Sequence, residues 1–186
     1  IKIDKSIDIK KSGYLSLDST GYMKQYDSNV KEMNLENNLN YNSDPFYNVT
    51  GLVTDYSINL KNINNELKNS KKKTNEAELE FLTAGMFTAK YPLKKIDKNL
   101  KKLFTPKIAF RYSPQQSKNN SGDDKRIDLS NVFTLGRLGE SEKGGSITVG
   151  SDYVISNKNI DQDIFKFSLA SVFRKNENKS LPLKST

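Results

Sequence analysis

An alternation of apolar and polar residues with a period of two constrains this chain more than any other feature. Ile1, Ile3, Ile7 and Ile9 alternate with Lys2, Asp4, Ser6, Asp8 and Lys10. Met33, Leu35, Leu39 and Tyr41 are separated by Glu32, Asn34, Glu36, Asn38, Asn40 and Asn42. The pattern returns at Leu52–Lys61, Phe104–Tyr112, Ser146–Ile155 and Phe165–Arg174. In a strand, successive side chains point to opposite faces, so each segment would present one apolar and one polar face. Tyr14–Tyr26 alternates more weakly around Gly21, and Ala77–Tyr91 changes phase near Phe81-Leu82, as a β-bulge would cause. Together these predict about eight strands of roughly ten residues, the length of a tilted membrane strand. Helical spacing is nowhere sustained.

The connections alternate in length. Lys10–Gly13, Ser43–Asn48 and Asn157–Asp161 are short, Pro92–Asn99 is intermediate, and Asn62–Asn75 and Ser113–Gly144 are long and polar. If the strands run up and down, both long connections and the Asp27–Val30 turn fall on one side. Short turns on one side and long loops on the other are the pattern of bacterial outer-membrane barrels.

Composition separates this reading from disorder. Only 34% of residues are hydrophobic and mean hydropathy is −0.72, values that by themselves suggest an unfolded chain. Nine Tyr and nine Phe, spaced along the predicted strands, contradict that. A polar chain with periodic apolar residues hides one face only. The net charge of +8 suits an anionic partner such as nucleic acid, an acidic headgroup or a phosphorylated glycolipid. There is no Cys and no His in the sequence, which removes disulfides, thiolate metal sites and the commonest general base from this segment. No apolar run reaches the length of a transmembrane helix. Regular patterning up to both ends predicts a piece of a longer protein, treated as one domain over residues 1–186.

The candidate contact residues lie on the polar face. Lys107, Arg111, Lys166 and Arg174 share that face in two strands and could attract phosphate, which Arg grips through two parallel hydrogen bonds. The plainer alternative is that these cations pair with Asp152, Asp55 and neighbouring Glu residues. Lys71-Lys72-Lys73 reads as a solvated loop tip. Asn48-Val49-Thr50, Asn119-Asn120-Ser121 and Asn178-Lys179-Ser180 match a glycosylation pattern that recurs by chance in an Asn-rich chain. No nucleophile–base pair and no metal-ligand spacing stands out, so neither catalysis nor a cofactor is expected. In the long connection, Gln115–Lys125 has almost nothing to bury, whereas Ile127–Leu138 carries Leu129, Val132, Phe133, Leu135 and Leu138. The second half is expected to fold back, with Phe133 buried and Arg137 paired to an acidic residue of the wall or loop, capping the barrel mouth.

Several ordered motifs add a family resemblance. Tyr91-Pro92-Leu93 precedes a strand that carries Pro106 near its start and closes on Tyr112-Ser113-Pro114. A long loop follows, then Asp128-Leu129-Ser130-Asn131-Val132-Phe133-Thr134-Leu135-Gly136-Arg137-Leu138, then Gly144-Gly145 entering the next strand. In order and spacing these resemble the barrel domain of the lipopolysaccharide-assembly family LptD, whose pattern there is Asn-Leu-Phe-Ser-Leu-Asn-Arg. Asn40–Pro45 and Ala170–Arg174 fit the same family. The chain departs at Gly136, where Asn is usual, and at Glu140-Ser141-Glu142-Lys143, which replaces Gly-Tyr-Asp-Arg. The resemblance is strongest over Tyr91–Ser151 and covers the middle of the barrel.

It implies an antiparallel up-and-down transmembrane β-barrel in the outer membrane, seen here as a partial open wall. It also implies transport of lipopolysaccharide into the outer leaflet, with an LptE-like lipoprotein plug, an LptA-like periplasmic bridge and outer-membrane lipid as partners, and no nucleic acid. Lys107, Arg111, Lys166, Arg174 and Asp152 are then the candidate substrate contacts, and Phe133 and Arg137 the capping residues. Two other readings fit the residues alone: a porin or plugged transporter, and a soluble β-sandwich binding glycan or nucleic acid through a basic face.

Overall fold

The computed structural model describes residues 1–69, 77–114, 126–138, 142–160, 162–175 and 181–182. Among them are ten strands and no helix: β1 (Lys2–Ile9), β2 (Gly13–Gln25), β3 (Lys31–Ser43), β4 (Phe46–Tyr47), β5 (Val53–Lys68), β6 (Ala77–Lys90), β7 (Leu93–Asp97), β8 (Leu100–Ser113), β9 (Gly144–Asn157) and β10 (Gln162–Arg174). They form one antiparallel sheet with the order β1-β2-β3-β5-β6-β8-β9-β10, while β4 pairs with β5 and β7 with β8. Each long strand thus joins its neighbour in the chain, the up-and-down arrangement the alternation predicts. β1 and β10 pair on one side only, so the sheet is not closed into a barrel. The tip Lys71–Lys73 and the stretch Gln115–Lys125 lie outside the described residues.

The eight long strands match the eight expected. β4 and β7 are additional, and both fall in segments that read as turns. The chain divides into two compact units, Ile1–Asp44 with Ser57–Ala84, and Pro45–Tyr56 with Gly85–Thr186.

In the first unit, register places like with like across the strands. One row on one face runs Ile7, Leu15, Tyr41, Ile58, and the next runs Lys5, Leu17, Leu39, Leu60. The following row turns polar, with Ser19 donating to Asn37 Oδ1 (2.7 Å) and Asn37 to Asn62 Oδ1 (3.3 Å). On the other face Asn59 donates to Asn38 and Asn40, and Lys61 pairs with Glu36 at 3.0 Å. These bonds explain the largest departure from the sequence reading. The segment after Leu60 was expected to be a loop, yet β5 continues to Lys68, paired with β3 as far as Lys31. Asn is a turn former in isolation, but here its amides find partners across the strands, and Ile63 on the opposite face is buried. The turn from β1 to β2 needs glycine: Gly13 has φ of +138°, and a Cβ there would overlap the Asn42 carbonyl.

Burial along β6 does not change phase at Phe81-Leu82, where the sequence reading placed a bulge. Leu79, Phe81 and Phe87 are exposed while Leu82 and Thr88 are buried, so one parity persists along the strand. The apparent phase change came from Leu82 and Met86, apolar residues on the otherwise polar face. A register shift does occur in β10, between Asp163 and Phe165.

In the second unit β8, β9 and β10 pair along their full lengths. Phe104, Ile108, Phe110 and Tyr112 share a face with Ile147, Val149, Tyr153, Phe165, Phe167, Leu169 and Phe173. The opposite face carries Lys107, Ala109, Arg111, Ser146, Thr148, Asp152 and Arg174. Burial runs opposite to a water-soluble sheet. Arg111 and Thr148 are 5% and 2% exposed, whereas Phe110 and Phe173 are 46% and 59% exposed. The polar face is covered, and among the described residues no second sheet covers the apolar one.

Candidate functional site

What covers the polar face of β8–β10 is the segment between β8 and β9. Asp128 starts it: its carboxylate accepts from the amide and hydroxyl of Ser130, and the Val132 amide bonds back to the Asp128 carbonyl at 2.9 Å. Such a local Asx turn lets Asp bend the backbone without a helix. The bend brings Val132 and Leu138 down to 4% and 1% exposure.

At the centre lies a buried ion cluster built from three elements. Arg111 of β8 and Arg174 of β10 both stand opposite Ser146 of β9, one on each side. Arg137 of the covering segment enters between them. All three converge on one carboxylate, Glu142. Arg137 grips it with two bonds, Nε to Oε2 at 2.9 Å and Nη2 to Oε1 at 2.5 Å. Arg174 Nη2 donates to Oε1 at 2.9 Å, and Arg111 Nε lies 3.6 Å from Oε2. Arg111 and Arg137 use further guanidinium donors as well. Arg111 donates to the carbonyls of Leu135 (2.9 Å) and Glu142 (2.7 Å), and Arg137 to Val132 O, Thr148 Oγ1 and Ser146 Oγ.

Burial by itself would raise the Glu142 pKa. The Arg137 bonds and the charges of Arg111, Arg137 and Arg174 outweigh it and hold the carboxyl below its ordinary value. Buried ions are tolerated only when paired and hydrogen-bonded, as these are. The arrangement is a clamp: it ties the covering segment to two strands at once.

A second contact lies beside it. Lys107 pairs with Asp152, and its ammonium sits 5.4 Å from the Phe133 ring centroid. On its sheet side the ring approaches Gly150, where a Cβ would come within 3.0 Å of Phe133 Cζ and 2.6 Å of the Leu169 carbonyl. Gly150 therefore makes the seat for Phe133. Replacing it with leucine is expected to press on the Leu169 carbonyl of β10 and to expel the ring, costing about 1–3 kcal/mol by overpacking. Thermal unfolding of the assembled protein, with Phe133→Ala as a comparison, checks this; a neutral Gly150→Leu would contradict the seat.

Of the residues singled out in the sequence, Arg111, Arg174 and Arg137 are brought together, and Arg137 has the acidic loop partner expected of it. Lys107 and Asp152 form one pair. Phe133 is half-buried rather than buried, because one face of its ring is left to the Lys107 ammonium. Lys166 stands apart, with an exposed side chain 2.7 Å from Asp163. It borders a separate depression of about 490 Å³ with Lys101, Asp152 and Ser156. Glu142 and Gly150 escaped the sequence reading. The signal for Glu142 was an acid shortly before Gly144, where β9 begins, and Glu140 carries it too. Among the described residues no group of His, Cys, Asp or Glu could hold a metal ion.

No protein-family model and no curated protein matches this chain.

Proposed function

We propose that this chain is a stretch of the wall of an outer-membrane β-barrel of the lipopolysaccharide-assembly type, its apolar face toward lipid and its polar face toward a hydrated lumen. The observation that carries the membrane reading is the inverted burial of β8–β10, with arginines covered and aromatics exposed. In water such a sheet would expose far more contiguous apolar surface than a soluble protein tolerates. In a bilayer that surface is the favourable one. The lipopolysaccharide reading rests on the resemblance of Tyr91–Ser151 to LptD. Arg111 and Arg174, candidates for substrate contact in the sequence, are buried and held by Glu142, which leaves Lys107, Asp152 and Lys166 as the polar-face residues open to a phosphorylated amphiphile on the lumen side. The segment clamped by Arg137 and Glu142 then narrows the lumen at the end where β8 stops and β9 starts. An LptE-like plug and an LptA-like bridge would act through parts of the protein beyond these strands.

Deleting residues 127–138 from the full-length protein in cells tests this. Outer-membrane permeability to bulky antibiotics is expected to rise at unchanged barrel levels, because the clamp that narrows the mouth is gone. Unchanged permeability with normal barrel levels would remove the capping role, and recovery of the protein in the soluble fraction would remove the membrane reading.

A further inference from the structure

On the apolar face of the second unit, opposite the ion cluster, lies an open groove of about 540 Å³. Its walls are Phe110, Tyr112, Ile147 and Phe173, with Gly145 at its floor and Lys175 on its border. The groove exists because Gly145 has no side chain. A Cβ there would meet only Tyr112 Cδ2 at 3.8 Å and the Arg111 carbonyl at 4.0 Å, both ordinary contacts, so nothing in the backbone demands glycine at this position. Gly145 stands opposite Tyr112 in the β8–β9 register, and Tyr112 and Phe173 are among the most exposed aromatics of this face. The result is a notch between rings in an otherwise continuous apolar surface.

We propose that this notch holds one acyl chain of a bilayer phospholipid of net negative charge, with Lys175 at the headgroup level. The proposal rests on the membrane reading above and goes beyond it, since most of the apolar face would meet lipid without selecting any. Three features favour a lipid chain over other occupants. The walls are apolar, so they offer a polar ligand little. The notch is continuous with the apolar band of Ile147, Val149 and Phe110, so a chain can enter sideways from the bilayer. And the cationic residue lies at the strand ends, next to Arg174, where β10 leaves the band and a headgroup phosphate would lie.

The test uses full-length protein in phosphatidylcholine vesicles doped with phosphatidylglycerol that carries a diazirine in its acyl chain. After irradiation, labelled residues are mapped by mass spectrometry. Label on Phe110, Tyr112 and Phe173 is expected to exceed that on Phe167, which shares the face but not the groove, by about fivefold, a preference of roughly 1 kcal/mol. Gly145→Leu, which fills the notch, is expected to bring the groove residues down to the Phe167 level. Lys175→Glu is expected to lower labelling by phosphatidylglycerol and leave labelling by diazirine-bearing phosphatidylcholine unchanged. Equal labelling of Phe167 and the groove in the unaltered protein would overturn the groove and leave the membrane reading standing. No label on either would overturn both. Protection of the groove that deepens with the protein-to-lipid ratio would assign it to a second copy and overturn the lipid. If Gly145→Leu does not assemble, the enrichment in the unaltered protein and the Lys175→Glu pair decide the matter.

Discussion

Glu142→Ala is expected to free residues 126–138 from the sheet, because it leaves three buried guanidinium groups facing one another without their shared carboxylate. Removing one partner of a buried ion pair costs about 3–5 kcal/mol, most of it the penalty on the charges left behind. The effect should be larger than for Arg174→Met, which leaves Arg137 still gripping Glu142 through two bonds. Hydrogen exchange of the 126–138 amides in the full-length protein reads it directly. Protection unchanged in Glu142→Ala would mean that Val132 and Leu138 hold the segment without the ions. Acid should imitate the substitution. The folded Glu142 pKa lies below its ordinary value near 4.5, so its contribution is complete above that value and lost as pH falls through the folded one. The segment should therefore stay docked at neutral pH and loosen only in strongly acidic solution, and loosening near pH 6 would exclude Glu142 as the titrating group.

Ile108→Arg should block membrane assembly, whereas Lys107→Ala, one residue away, should be tolerated. The two side chains are on opposite faces of β8, Ile108 opposite Val149 and Lys107 opposite Gly150. An arginine presented to lipid costs roughly 2–4 kcal/mol near the bilayer midplane. Lys107→Ala removes a partly exposed ion pair with Asp152, for which about 0–1 kcal/mol is usual. Folding into lipid vesicles, followed by the gel shift of a heat-modifiable barrel, distinguishes them. Equal folding yields for the two variants would mean that the face assignment is wrong.

The alternation was legible wherever a strand had one apolar and one polar face, as in β8 and β9. It failed where the two faces resemble each other. The far half of β5 carries Asn62 and Asn64 on one face and Asn65 on the other, so it reads as loop until the amide bonds to β3 are seen. Leu82 sits on the polar face of β6 and imitates a change of phase. β4 and β7, of two and five residues, are too short for any period to register. For the site, sequence parity correctly placed Arg111 and Arg174 on one face. It could not show that both flank Ser146, because that depends on the β8–β9 and β9–β10 registers together. Glu142 sits in a quartet that departs from the LptD pattern, and nothing in the sequence separates it from Glu140. Gly150 read as one more small residue in a strand, and its role appears only once Phe133 is seen against it.

The clamp also bears on the order in which the protein forms. Its cations come from β8, β10 and the segment between β8 and β9, so it cannot close until β9 has paired on both sides. The complete cluster therefore needs both registers set around Ser146, and its contribution is expected to be absent from a transition state that precedes them. Interactions made that late leave the rate of formation almost untouched and act on the rate of loss. Arg111, Arg137, Arg174 and Glu142 thus give the covering segment a long residence time on the sheet rather than a fast arrival.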